Sequence, residues 1–141
     1  MCLMLKNKHW KKTITDVETA FLYGDLDRVI FVDAPPGYNF IKSEMGDMKE
    51  HEFTFLKLKK TIYGLVQAAR AWWKHLWSHL EQMEFKKCIK DGCLFRKVNE
   101  EGEVIICAYV DDMLIIGDEQ AVDNTHEGLR KSYNIVVKEA T

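Results

Sequence analysis

Two apolar runs separated by a pair of acids constrain this chain more than any other feature. Val104 to Val110 and Met113 to Ile116 each read as a strand, and only Asp111-Asp112 lies between them. Strands that close in sequence join as antiparallel neighbours through a two-residue turn, so the pair is predicted at the tip of a hairpin. Asp-Asp is a poor choice there, because primed turns favour Asn-Gly or Asp-Gly and adjacent carboxylates repel. Ile105, Ile106, Ala108, Val110, Leu114 and Ile115 are expected to be mostly buried. Carboxylates beside buried strands are costly unless paired or bound to a cation. Taken alone, the hairpin fits either a solvent-exposed polar turn or a cation site.

The rest of the chain frames the hairpin. Thr13 to Val17 reads as a short strand, followed by a helical turn over Glu18 to Tyr23 that Gly24 closes. Val29 to Val32 is a second strand, stopped at Ala34-Pro35-Pro36-Gly37 because proline cannot donate to a sheet ladder. Ser43 to His51 is polar and irregular, a predicted surface loop. Phe53 to Leu58 is a third strand, with Phe53 and Phe55 expected inward, and possible room for Leu58 beside them. From Gln67 to Met83 the residues Ala69, Trp72, Trp73, Leu76, Trp77, Leu80 and Met83 form one apolar stripe at helical spacing, a core-facing scaffold rather than a base-stacking platform. Asp118 is placed to cap a helix running to about Ser132, weakened at Gly128, and Ile135 to Val137 is a last strand. Strands with two packed helices and no regular β-α alternation indicate an antiparallel α+β sandwich. At 141 residues the chain has room for one domain, 1–141, with its motifs between about 13 and 118.

Charge is segregated although the net is only −2. Lys57 to Lys97 holds ten Lys or Arg against three acids, whereas Asn99 to Gly128 holds nine acids and no Lys or Arg. Such blocks are ordinarily solvated faces, and they also suit a protein that meets phosphates on one surface and a metal at another. The four cysteines form no CxxC pair, and the apolar run Met1 to Leu5 is too short for a signal sequence. No stretch approaches the roughly 18 apolar residues of a membrane span. A reducing intracellular setting without a membrane is therefore the expectation.

A second carboxylate sharpens the reading of the hairpin. Asp16 stands near the end of the first strand, just ahead of a tight turn. Two-metal phosphoryl transfer needs carboxylates from separate strands converging on ions roughly 3.5–4 Å apart. Read alone, Asp16 fits a helix N-cap better. Other constellations are weaker. His75 and His79 are spaced i, i+4 but lack a third ligand, so a plain polar helix face is expected. Cys88 and Cys93 are expected to be reduced and buried. Asp25 and Asp27 read as a turn, and Lys57, Lys59 and Lys60 as an exposed strand face or template-phosphate contacts.

In order along the chain, five segments carry a family resemblance. Asp16-Val17-Glu18-Thr19-Ala20-Phe21-Leu22-Tyr23-Gly24-Asp25-Leu26 resembles the first palm motif of copia-type retrotransposon reverse transcriptases. Ala34-Pro35-Pro36-Gly37-Tyr38 is similar to the turn that follows it there. Leu58-Lys59-Lys60-Thr61-Ile62-Tyr63-Gly64-Leu65-Val66-Gln67-Ala68-Ala69-Arg70-Ala71-Trp72 resembles the family's next signature. Asp91-Gly92-Cys93-Leu94-Phe95 and the YVDD box at Tyr109-Val110-Asp111-Asp112 complete the series.

The resemblance implies a polymerase palm: an antiparallel sheet with helices on one face, here with fingers incomplete and thumb absent. It implies RNA-directed DNA polymerisation, with two divalent ions, Mg or Mn, held by Asp16, Asp111 and the Val17 carbonyl, and Asp112 in support. Phe21 would be the steric gate under the incoming sugar, where a ring leaves no room for a 2′-hydroxyl. Tyr63 and Gly64 would floor the nucleotide pocket through their backbone, and Gln67 and Arg70, near the start of the helix, fit either substrate contacts or, more simply, a plain helix surface. Implied partners are an RNA or DNA template with primer, deoxynucleotide triphosphates and the rest of a Pol polyprotein, with a cytoplasmic virus-like particle as the setting. The chain departs from the family at Val66, Ala69 and Gly92, where Lys, Pro and Pro are usual. Val66 removes a cation from a site where positive charge assists phosphoryl transfer. Two alternatives stand beside the enzyme: a non-catalytic remnant or co-opted binding module, and a palm-type nucleotidyl cyclase, which lacks support because no GGDEF-like turn is present.

Overall fold

Alternating burial along the first strand shows how the sheet is made. In β1 (Lys11–Val17), Thr13, Thr15 and Val17 are buried while Ile14 is exposed, the period-2 pattern of a strand with one covered face. The computed structural model describes residues 9–38 and 55–140. The predicted loop over Ser43 to His51, the residues Phe53 and Cys2, and the run Met1 to Leu5 lie outside them.

After β1 come a 3₁₀ turn (Ala20–Tyr23), β2 (Phe31–Asp33), β3 (Phe55–Lys57) and helix α1 (Ala68–Gln82). The chain continues through β4 (Lys86–Lys87), β5 (Leu94–Asn99), β6 (Gly102–Tyr109), β7 (Asp112–Gly117), helix α2 (Glu119–Arg130) and β8 (Ile135–Glu139). Six strands form one sheet in the order β4-β5-β6-β7-β1-β8, with every neighbouring pair antiparallel. β2 and β3 make a separate antiparallel pair. The fold is the predicted α+β class, compatible with a palm.

Both helices cover the same face of the six-stranded sheet. Trp72, Leu76 and Leu80 of α1 and Ala121, Val122 and Leu129 of α2 share one core with Phe95, Ile106, Ala108, Met113, Ile115 and Val17. Trp77 stacks on Phe95 at 5.6 Å between ring centroids. The buried stripe of α1 is Ala68, Trp72, Leu76 and Leu80, so it lies one position round from the predicted one: Ala69 is exposed and Ala68 is inside. The Met83 side chain lies directly against Gly128 of α2, where a Cβ would meet its methyl at 2.4 Å. The short edge strand β4 exposes two lysines, a common defence against edge-to-edge pairing.

Several local expectations are corrected by packing. Asp118 sits at the N-cap of α2 but makes no cap hydrogen bond, because its carboxylate accepts from the Glu103 amide at 2.7 Å instead. Phe55 points outward and is exposed, while Leu56 and Leu58 are half-buried. His75 and His79 are half-buried rather than on a plain polar face, packed against the buried Tyr133 ring at 5.8 and 5.0 Å. Desolvation lowers the basicity of both imidazoles. Cys93 and Cys107 are exposed and only Cys88 is half-buried, all three as free thiols. Asp25 pairs with Lys60, the last of the three lysines at 57, 59 and 60.

Candidate active site

The open face of the sheet, opposite the helices, presents the aspartates. Asp16 is directly opposite Asp112 in the β1–β7 ladder, and Asp112 is opposite Tyr109 in the β6–β7 ladder. Residues facing one another in antiparallel strands have Cα atoms about 4.5–5.5 Å apart and side chains on the same face. Asp16 alternates with the buried Thr15 and Val17, so both it and Asp112 project from the uncovered side. Asp16 is therefore a strand residue and not a helix cap: the 3₁₀ turn has Thr19 at its N-cap.

The hairpin turn differs from the prediction by one residue. Tyr109 pairs with Asp112, so the two turn residues are Val110 and Asp111, and Asp112 belongs to β7. Val110 has φ of 56°, rare for a β-branched residue, and it is exposed rather than buried. A positive φ at the first turn position alone belongs to the II′ form, where glycine is usual. Both turn carbonyls are tied to other elements. Val17 N–H donates to Asp111 O at 3.0 Å, and Trp72 Nε1–H donates to Val110 O. The Trp72 bond was not legible in the helical stripe, which marks an indole as apolar but says nothing of its N–H.

Electrostatics register the crowding of the acids. The Asp16 carboxyl is held above the usual carboxylate range, first by desolvation and then by the charges of Asp112 and Asp111, with Lys138 opposing. Tyr63 donates its phenol hydrogen to Asp111 Oδ2 at 3.2 Å. Burial and the charge of Asp111 push the Tyr63 phenol up. Phe21, on the 3₁₀ turn, packs against the Tyr63 ring with centroids 4.4 Å apart and planes tilted 57°. Asp16, Asp111, Asp112, Phe21 and Tyr63 thus form one neighbourhood.

Other predicted residues stand further from the acids. Gly64 has φ of 91° and open space around its Cβ position, so the backbone conformation, not a close neighbour, requires glycine. Gln67 is half-buried at the N-cap of α1 and Arg70 is exposed on its first turn. Among the described residues no hydrogen bond or ion pair joins either to the three aspartates. Val17 is buried, its amide committed to Asp111.

The donor set is all oxygen, which suits hard cations such as Mg or Mn. Among the described residues, however, no group of three His, Cys, Asp or Glu side chains is gathered tightly enough to hold a metal ion. The aspartates are neighbours without forming a closed cage. One buried polar residue absent from the sequence reading supports them: His126 of α2 places Nε2 at 3.1 Å from Thr13 Oγ1 and 3.2 Å from Thr15 Oγ1, beneath the strand that carries Asp16. Its position on the buried side of α2, beside Val122 and Leu129, was the available signal.

Comparison with known proteins bears on this arrangement. A family model described as reverse transcriptase (RNA-dependent DNA polymerase) matches residues 3–138. The chain is 35% identical over 122 residues to the retrovirus-related Pol polyprotein from transposon TNT 1-94 of Nicotiana tabacum, covering 85% of this chain and 9% of that protein. It is 33% identical over 130 residues to the Pol polyprotein from transposon RE1 of Arabidopsis thaliana, 92% of this chain and 8% of that one. The Ty1-NL2 Gag-Pol polyprotein of Saccharomyces cerevisiae is 29% identical over 136 residues, 95% of this chain and 7% of its own length. The chain thus spans less than a tenth of each of these relatives. No solved structure matches.

Proposed function

Since this chain belongs to the reverse transcriptase (RNA-dependent DNA polymerase) family, we propose that it is the palm core of a copia-type retrotransposon polymerase, with Asp16 and Asp111 as ligands of two divalent ions. The observation that carries this reading is the Asp16–Asp112 cross-strand pair, set beside an Asp111 whose carbonyl is tied to the Val17 amide. When bound, the ions would activate the primer hydroxyl and offset charge on the transferring phosphate. The chain's own residues do the positioning. Asp112 supports the pair from its strand, the Val17 carbonyl adds an oxygen, and Phe21 excludes a 2′-hydroxyl from the sugar position. Tyr63 and Gly64 supply the pocket floor, and Gln67 and Arg70 are the residues of α1 that would meet substrate. Primer, template and deoxynucleotide triphosphates are the proposed partners, together with the remainder of a Pol polyprotein in a cytoplasmic virus-like particle. Among the described residues no helix is long and apolar enough to cross a membrane.

Thermal melts with and without Mn²⁺ test the metal assignment. Ligand binding to the folded state alone raises stability by about 2.7 kcal/mol at a hundredfold excess over Kd. Asp111→Asn should slightly stabilise the metal-free protein and abolish the Mn²⁺ response. An equal Mn²⁺ shift in both proteins would remove Asp111 from the site.

One observation favours a second reading, a folded palm that does not polymerise. Val66 is 98% exposed where the family usually carries lysine, so this part of the pocket rim offers no cation to a triphosphate. On that reading, the purified chain extends no primer even with Mn²⁺. Robust extension on a primed RNA template would eliminate it.

A further inference from the structure

The Tyr63 side chain has more to do than floor a pocket through its backbone. It makes the one hydrogen bond, among the described residues, to any of the three aspartate carboxylates: phenol to Asp111 Oδ2, 3.2 Å. The residue is 56% exposed and precedes a glycine with φ of 91°, so the core does not lock its ring in place. The Phe21 ring at 4.4 Å holds it instead. Oδ2 of Asp111, one of the two oxygens this carboxylate would offer to an ion, already accepts the phenol hydrogen. The positive end of the O–H dipole therefore points at an oxygen that would otherwise be open to a cation.

Building on the metal assignment proposed above, we infer that Tyr63 is a latch, in which its hydroxyl competes with a divalent cation for Asp111 Oδ2 while Phe21 holds the ring over the carboxylate. The ring would swing away as the ion arrives, so nucleotide pocket and metal centre open together. Tyr63 is a positioning residue on this account: it acts through Asp111 and not on the reacting atoms.

The sign of a binding change separates a latch from a merely structural contact. Tyr63→Phe keeps the ring on Phe21 and deletes only the hydroxyl. Damage to the site would weaken Mn²⁺ binding, whereas loss of a competitor strengthens it. Titration of Mn²⁺ into the 141-residue chain, with free ion counted by electron paramagnetic resonance, should give a Kd on the order of three- to tenfold tighter for Tyr63→Phe than for wild type, the range expected when one hydrogen bond to an exposed charged group is removed. Asp111→Asn serves as the control without the shared oxygen. Equal or weaker binding by Tyr63→Phe, with wild type binding and Asp111→Asn not, overturns the latch and leaves the aspartate assignment standing. Absence of Mn²⁺ binding by both wild type and Tyr63→Phe overturns both. As a second readout, Mg²⁺ should shift the Tyr63 ring resonances in wild type and leave them in place in Asp111→Asn; resonances that stay fixed in wild type that has bound Mg²⁺ also overturn the latch.

Discussion

The two faces of the six-stranded sheet have been given different work. On the helix-covered face, Phe95, Ile106, Met113 and Ile115 have no exposed surface, and even the polar Thr13 and Thr15 are sealed beneath His126. On the other face, Ile14 is 44% and Tyr109 is 78% exposed, and Asp16 and Asp112 stand among them. One strand serves both, by alternation: Thr15 builds the core and Asp16 stays on the open side. A sheet can therefore carry repelling acids because the stability comes from the side those acids do not touch.

Truncation should show the largest contrast. Ile106→Ala on the covered face is expected to cost about 2–5 kcal/mol, the usual range for a fully buried branched residue. Ile14→Ala on the open face should cost well under half of that, because much of the side chain is already in water. Urea melts of the two variants measure the difference, and equal losses would show that the open face is as much a core as the other.

A smaller effect is expected at the turn that ends the hairpin. Val110 holds a left-handed conformation that costs a non-glycine residue about 1–3 kcal/mol, against about 0.5–1 kcal/mol for the greater freedom glycine loses on folding. Val110→Gly should therefore raise stability by about 1 kcal/mol, or Tm by about 3 °C. The carbonyl contacts to Trp72 and Val17 are backbone acceptors and survive the change. A fall in Tm would mean that the valine side chain is itself packed, sharpening the boundary between the two faces.

The smallest expected effect, about 1–2 °C, is one of opposite signs with pH. Burial lowers the His126 pKa below 6.5 in the fold, with Arg130 adding to it and Asp123 opposing. Below 6.5 the unfolded chain binds the proton first, so this covered-face contribution is lost as pH falls. Asp16 runs the other way. Its folded pKa is raised above 3.8, so the fold retains the proton to higher pH and its penalty grows as pH rises through that window. Asp16→Asn should raise Tm near neutrality, with the gain vanishing below about pH 3.8. His126→Asn should flatten the loss of stability as pH falls below 6.5. Melts across pH check both, and matching slopes would dissolve the distinction between the faces.

Patterns that depend on one periodicity were legible in the sequence. The hairpin strands, the α1 helix and the strand carrying Asp16 follow from spacing, and the family resemblance led to the reverse transcriptase family. Errors arose where a distant partner decides. Val110 extends an apolar run, so spacing makes it strand, yet Trp72 and Val17 take the turn carbonyls and shift the turn by one residue. Asp118 has the sequence of a cap, yet the Glu103 amide claims its carboxylate. The α1 stripe is ambiguous by one position because Ala68 and Ala69 are identical side chains, and only packing chooses between them. At the site, the three aspartates were legible as a motif. The Tyr63 phenol on Asp111 was not, since nothing local links residues 48 apart in sequence.

The tie between the Val17 amide and the Asp111 carbonyl is made of main-chain atoms alone. Any amino acid except proline at 17, and any amino acid at all at 111, leaves that clasp its donor and acceptor. The shape of the turn and the acids of the open face can then vary at separate rates. A chain that loses an aspartate is expected to keep the same fold. If the acids hold metal as proposed, their loss would cost the chain its ions while the scaffold still stands.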